Sequence, residues 1–335
     1  MPAVIPIAAA ALLIIAGVLY ANIGVRRDVR RHPAPGRIVR VNGHSVHVRE
    51  MGEGAPTVVL EAGISATSLS WLLVQPEVAR SARVLAYDRA GLGWSGAARI
   101  ARTPFALARE LHNVLGAFGA APPFIIAGHS FGGLIAQAFA ALYPDQTAGL
   151  VLVDPVDPRE WHPLTPERER MLRRAVRLAR RGALLARVGV VRGCLALANS
   201  GRRFLPNLAG RIAGGAGGSS FISRMAGEIR KLPPDALPVI ASHWSHPKSF
   251  DTMAEHLASL PEAAREIAAL SELKTPAIVI TAKHVQSHPA PALPCARRIV
   301  AERSGHWVQL DQPELVVAAI RELVTMYAHE HSRPI

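Results

Sequence analysis

Four short runs with the character of buried strands follow one another in the first half of the chain: "TVVLEAG" from Thr57, "RVLAYD" from Arg83, "PFIIAG" from Pro123 and "GLVLVD" from Gly149. Helix-like segments fill the intervals, among them "WLLVQPEVARS", "PFALARELHNVLGAFG" and "FGGLIAQAFAALYP", the last stopping at Pro144. A strand that is apolar on both sides needs cover on both faces, so this alternation predicts a mostly parallel sheet sandwiched by helices. Ahead of it, "RIVRVNGHSVHVREMG" alternates apolar and polar residues about Asn42-Gly43, which predicts a two-residue hairpin. The rhythm lapses after Asp154 and resumes at "PAIVIT", "RRIVAE" and a closing helix, "QPELVVAAIRELVTMYAHE". The region between, about Pro155 to Leu273, reads as helical and irregular, with a flexible tract at Ala213–Ser220.

One junction carries chemistry. In "IIAGHSFGG", Ser130 lies between Gly128 and Gly132, after an apolar β-branched run and before a helix pattern. Strand, sharp turn and helix around G-x-S-x-G form the arrangement known as a nucleophile elbow. The turn is so tight that the positions flanking the serine leave little room for a Cβ. A pentapeptide with three fixed residues also arises as an ordinary strand-to-helix connection, so the rest of the chain has to supply a base, an acid and an oxyanion hole.

A serine hydroxyl needs a base to take its proton, and the base needs orienting. Near the end of the chain, "AERSGHWVQLDQPE" places His306 after the last strand and before the last helix, with Gly305 leaving the backbone free to turn. His129, next to the serine, is expected to point elsewhere and is read as packing. His243-x-x-His246 and His284-x-x-x-His288 have spacings a metal could use, but neither pair has a carboxylate or cysteine nearby, so no metal and no cofactor are expected. Cys194 and Cys295 form no disulfide framework and no metal-type spacing, although a single bridge between them stays open.

The 335 residues suffice for one large α/β domain with an insertion, or for two small domains. The net charge of +13 is unevenly spread, with twelve arginines and three glutamates between Arg159 and Arg203. Nucleic acid is one partner for such a patch, but no nucleic-acid module accompanies it and none is expected to bind. In "ERERMLRRAVRLARR", helical geometry puts Met171, Leu172, Ala175, Val176, Leu178 and Ala179 on one side. Arg170, Arg173, Arg174, Arg177, Arg180 and Arg181 fall on the other. Either the arginines form a solvated face over a packed stripe, or they meet anionic lipid headgroups.

The N-terminal segment bears on that choice. Met1 to Val25 carries no charge, and Arg26, Arg27, Arg30 and Arg31 follow. The 20 residues Val4–Ile23 make about 30 Å of helix, the thickness of a bilayer's hydrocarbon core. A cleaved signal peptide is the competing reading, but its basic n-region and shorter apolar core are missing here. A buried core helix would show a polar face. The favoured expectation is an uncleaved single-pass anchor, with membrane lipids as partners and the arginine side, hence the catalytic domain, facing the cytoplasm.

Taken together, "LEAG" followed by Ile64, "YDRAGLGWS" (Tyr87–Ser95), "GHSFGG" (Gly128–Gly133), "LVLVDP" (Leu150–Pro155) and "SGHWVQLDQPE" (Ser304–Glu314) resemble the α/β-hydrolase-fold superfamily. The resemblance runs from about Arg37 to Glu330. It is to the serine esterase, lipase and carbon–carbon hydrolase group, with a cap inserted after the sixth strand. It implies core over 32–154, cap over 155–273 and core again over 274–335, behind the anchor and basic flank already read over 1–31. It also implies an oxyanion hole built from the backbone N–H groups of Phe131 and Ile64. Relatives often have His-Gly in the second loop, where this chain has Ala62-Gly63, so a backbone donor survives that change and any role of a histidine side chain does not. Asp88 is expected to stabilise its own loop.

The acid is where the chain departs from the family pattern. Most relatives carry it after the strand matching "PAIVIT", yet no Asp or Glu lies between Lys274 and Ala301. The other known location is the end of the preceding strand, and "GLVLVD" ends there in Asp154. Glu160 is a second candidate, and a site with no orienting acid is a third possibility. The mechanism expected has Ser130 attacking an acyl carbon, His306 relaying the proton, Asp154 orienting His306, and water hydrolysing the acyl-enzyme. The substrate is expected to be a small ester or lipid-like acyl compound. A carbon–carbon hydrolase, an acyltransferase or a non-catalytic membrane-anchored binding protein are the rivals. A serine nucleophile speaks against the dehalogenases and epoxide hydrolases of this fold, which use aspartate. Nothing in the sequence indicates an oligomeric state.

Overall fold

The computed structural model describes residues 4–199, 231–283, 285 and 290–331. The tract Ala213–Ser220 and the pair His284 and His288 lie outside them. By contacts the chain divides into two units. One comprises Met1–Ala34 with Arg173–Ala254; the other comprises Pro35–Leu172 with Glu255–Ile335. The unit limits fall inside the helices Pro166–Arg187 and Pro247–Ala268. The first segment is grouped with the mid-chain helices.

The larger unit is built on an eight-stranded sheet of order β1-β2-β4-β3-β5-β6-β7-β8. Its strands are β1 (Arg37–Val41), β2 (His44–Met51), β3 (Thr57–Glu61), β4 (Val84–Tyr87), β5 (Phe124–His129), β6 (Thr147–Val153), β7 (Ala277–Ala282) and β8 (Arg297–Ala301). The first two form the expected hairpin about Asn42-Gly43, β2 runs antiparallel to β4, and every later pairing is parallel. This is the α/β-hydrolase fold.

Both faces are covered, as the apolar runs require. On β3, β5 and β6, the side chains of Val58, Leu60, Ile125, Ala127, Val151 and Val153 share one core with Val316, Ile320 and Leu323 of the last helix. The alternate residues Val59, Ile126 and Leu152 are equally buried and point to the opposite face. Here α3 (Pro104–Phe118) and α4 (Phe131–Leu142) pack on each other, and α4 packs on β5 and β6.

"WLLVQPEVARS" departs from the single helix expected. It forms a 3-10 turn at Ser68–Trp71 and one helical turn, α2 (Gln75–Val78). Pro76 explains the break: it has no N–H to donate and its ring clashes with the carbonyl four residues back. Trp71, Val74 and Val78 are nevertheless fully buried.

In the chain order, β3 is followed outward by β4, whereas β5 leads the other way to β6, β7 and β8. The sheet order therefore reverses between β3 and β5. In open α/β sheets the crevice beyond the carboxyl ends of the strands at such a point is where ligands bind.

The smaller unit contains α1 (Val4–Arg31), most of α5 (Pro166–Arg187), α6 (Val190–Asn199), α7 (Ala236–Trp244) and the start of α8 (Pro247–Ala268). Along α5, Leu172, Ala179, Ala183 and Ala186 are buried at intervals of seven, four and three residues, which keep to one helical face, and the arginines from Arg170 to Arg181 are exposed. Met171, expected on the packed side, is 50% exposed, because this stripe begins one residue later. Both cysteines are free.

Candidate active site

The carboxyl end of β5 delivers Ser130 into a forced conformation. Its φ is 54° and its ψ −118°, a region that costs a non-glycine residue about 1–3 kcal/mol. Neighbouring backbone holds it there. The Ser130 N–H donates to the Val153 carbonyl (3.0 Å) and the Ser130 carbonyl accepts from Gly133 N–H (3.0 Å). A Cβ on Gly132 would lie 2.5 Å from the Glu61 carbonyl oxygen, so only glycine lets the elbow press against the end of β3. Phe131 opens α4 directly after the serine, where a helix leaves its first N–H groups without intrahelical acceptors.

His306 reaches this serine from the loop after β8. Its Nε2 lies 3.0 Å from Ser130 Oγ and its Nδ1 lies 2.7 Å from Asp154 Oδ2. Asp154 follows β6, the strand beside β5, and has a φ of 41°. Its second oxygen, Oδ1, accepts from Ala282 N–H at the end of β7 (2.9 Å), and its own N–H donates to Ile280 O (2.7 Å). Burial alone would push this carboxyl up. The hydrogen bonds from His306 and Ala282 outweigh it and hold Asp154 below the ordinary aspartate range. The carboxylate is 5% exposed, whereas the His306 side chain is 47% exposed. The structure thus brings Ser130, His306 and Asp154 into one hydrogen-bonded line. Glu160 is elsewhere, paired with Arg168 at 3.2 Å.

The loop after β3, which carries Ile64, is fixed from below. Arg89, 3% exposed, donates to the Glu61 carboxylate, to Ala62 O (2.6 Å) and to Gly63 O. Tyr87 Oη donates to the other Glu61 oxygen. One guanidinium therefore clamps two successive carbonyls of the loop, so that the N–H groups between and after them are turned away from it. Asp88 does more than brace its own loop. It accepts from Trp94 N–H (3.0 Å) and also from Ser68 N–H (2.7 Å) further along the β3 loop, and pairs with His47 Nδ1 (3.0 Å).

His129 is a residue whose part the sequence reading understated. It is buried as packing, as expected, but its Nε2–H donates to the His306 carbonyl (2.9 Å), and its ring lies 4.8 Å from that of His306 and 5.1 Å from that of Trp307. Burial, reinforced by the nearby His306, lowers its pKa to about 3, so it stays a neutral donor that positions the backbone of the base. Its place beside the serine was the available signal. What it meets comes from 177 residues away. Among the described residues no group of three or more His, Cys, Asp or Glu is arranged to hold a metal.

The model of the Alpha/beta hydrolase family matches residues 58–319. A curated relative, the "AB hydrolase superfamily protein" of Gibberella zeae, is 38% identical over 103 residues, 30% of this chain and 32% of its own length. The chain spans less than half the length of curated relatives it matches. Among solved structures, "Epoxide hydrolase CorEH without ligand" superposes with a TM-score of 0.65 at 19% identity, covering 87% of this chain and 98% of that one. A thermophilic esterase from Thermogutta terrifontis, with malate bound, gives 0.58 at 22% identity, covering 87% and 98%.

Proposed function

The chain belongs to the alpha/beta hydrolase family, and from that premise we propose that it is a serine hydrolase acting on an ester or lipid-like acyl substrate. The observation that carries the proposal is the line Ser130 Oγ to His306 Nε2 (3.0 Å) and His306 Nδ1 to Asp154 Oδ2 (2.7 Å). His306 takes the Ser130 proton as the oxygen attacks the acyl carbon. Asp154, held ionised by its two donors, fixes the His306 tautomer and stabilises the imidazolium that forms. The N–H groups of Phe131 and Ile64 receive the oxyanion, and such a donor contributes about 3–4 kcal/mol to the transition state. His306 returns the proton to the leaving group, the acyl-enzyme remains, and water activated by the same base hydrolyses it.

Epoxide opening, the activity named for one fold neighbour, has a carboxylate attack carbon in this fold; a serine at the elbow argues against it here. A carbon–carbon hydrolase or an acyltransferase would use the same three residues with a different leaving group or acceptor. The helical region between β6 and β7 acts, in this proposal, as the cap that chooses among them.

Location belongs to the same proposal. The helix over Ile7–Arg31 is long and apolar enough to cross a membrane: an 18-residue stretch of it has a mean hydropathy of 2.2 and is only 6% buried. It is taken as a single-pass anchor, and Arg26, Arg27, Arg30 and Arg31 set its cytoplasmic side.

A fluorophosphonate probe tests the chemistry. Full-length protein is expected to be labelled on Ser130, and Ser130→Ala, with an unchanged circular dichroism spectrum, to lose both labelling and hydrolysis of an activated ester. Labelling that persists in a folded Ser130→Ala protein sinks the proposal, and wild-type protein that resists the probe points to a binding module.

A further inference from the structure

We infer that the corner where α5 meets α6 is sunk into the lipid leaflet that holds α1, so that an anionic phospholipid layer covers it. The inference rests on the anchor reading of α1 and adds a second, independent contact to it.

The second half of α1 is not bare. Gly17, Val18, Ala21, Gly24, Val25 and Asp28 are shielded and recur at the three- and four-residue spacing of one helical face. The cover comes from α6 and α7. At Gly17 the approach is backbone to backbone: a Cβ there would lie 2.3 Å from the Val188 carbonyl oxygen. Higher up, Arg192 Nη2 donates to Asp28 Oδ2 and to Ser245 Oγ, both at 2.6 Å. The outward face beside these positions stays apolar and exposed, with Leu19 at 56%, Tyr20 at 46% and Ile23 at 50%.

Depth follows from helix geometry. Arg26 is the first charged residue of the segment and belongs among the headgroups. Gly17 precedes it by nine residues, or about 14 Å of helix, close to half of a ~30 Å hydrocarbon core. Val188 touches Gly17, so it lies at that depth too, and the α5–α6 corner goes with it.

The chemistry of the corner suits that place. Leu184 in the last turns of α5 is 61% exposed, Val190 at the start of α6 is 38% exposed, and Leu197 is 43% exposed. Val190 and Leu197 are two turns apart on one face. The cations nearest the corner are neutralised: Arg187 pairs with Asp251 at 2.7 Å and Arg192 with Asp28 at 2.6 Å. Further back on α5 the character changes. Arg174, Arg177, Arg180 and Arg181 are exposed, and among the described residues no carboxylate lies within ion-pair distance of any of them. Arg177 lies two turns before Leu184 on the same face, about 10 Å away along the axis. Exposed cations that could meet phosphates are thus followed along one face of α5 by an exposed apolar end suited to acyl chains.

The test uses full-length protein in vesicles of phosphatidylcholine and phosphatidylglycerol. The photo-crosslinker p-benzoylphenylalanine replaces Leu184 or, separately, Leu12, which is 67% exposed in the apolar half of α1. After irradiation, mass spectrometry is expected to find the mass shift of one phospholipid at both positions. No lipid adduct at Leu184, or capture there of a second copy of the chain, overturns the inference whatever Leu12 shows. Lipid capture at Leu184 without capture at Leu12 sustains the corner contact and removes the anchor reading, so the two failures are distinguishable.

Discussion

In the proposed mechanism Asp154 orients His306, and its surroundings make a quantitative expectation possible. Two donors, His306 Nδ1 and Ala282 N–H, hold it ionised although it is buried. Asp154→Asn keeps the shape but offers His306 the wrong partner. It is expected to lower kcat by about four orders of magnitude, measured by steady-state hydrolysis of an activated ester, with Glu160→Gln as the control at full activity. Near-wild-type rates in Asp154→Asn would move the acid elsewhere. Sequence reasoning reached Asp154 by noticing that the stretch after "PAIVIT" holds no carboxylate. It did not reveal that the end of that same strand reaches Asp154, through the Ala282 N–H. Nor could it give His129 its partner. Strand alternation says which side a residue faces but not which carbonyl, 177 residues on, arrives there.

At the scale of elements, the strands, the hairpin and the elbow were legible because each is a local pattern of period, turn chemistry or glycine placement. The break at Pro76 was legible in principle and was passed over because the surrounding residues are apolar enough to be core. The clamp on the β3 loop was beyond reach, since it depends on β3 and β4 lying side by side. That clamp supports a prediction. Arg89→Lys keeps a cation beside Glu61 but loses the planar fork that grips Ala62 O and Gly63 O together. If the grip sets the Ile64 donor, kcat should fall by about 10–100-fold, a part of what loss of one oxyanion donor costs, while KM changes far less. A variant whose KM rises while kcat holds would assign Arg89 to ground-state binding instead.

For the whole molecule, the sequence announced an apolar segment and an arginine-rich helix without any sign that the two share one unit. The contact face of α1 is made of glycine, alanine and valine, residues that leave no amphipathic trace in a run already apolar. Under the proposed anchor reading, the four arginines after it place the larger unit on the cytoplasmic side. Protease added to sealed intact cells should leave the chain full length, and digestion should begin only after the membrane is opened. Degradation in sealed cells would reverse the orientation.

The partition of the smaller unit between two distant stretches of chain also has a meaning in time. Its first piece ends at Ala34 and its second begins at Arg173, so the ribosome makes about 140 residues of the other unit in between. At roughly 5–20 residues per second that interval is on the order of 7–28 s. Throughout it, the glycine–alanine face of α1 and Asp28 at its end await partners that do not yet exist. Until α6 is made, that face of α1 has to be covered by something other than its final partners in this unit.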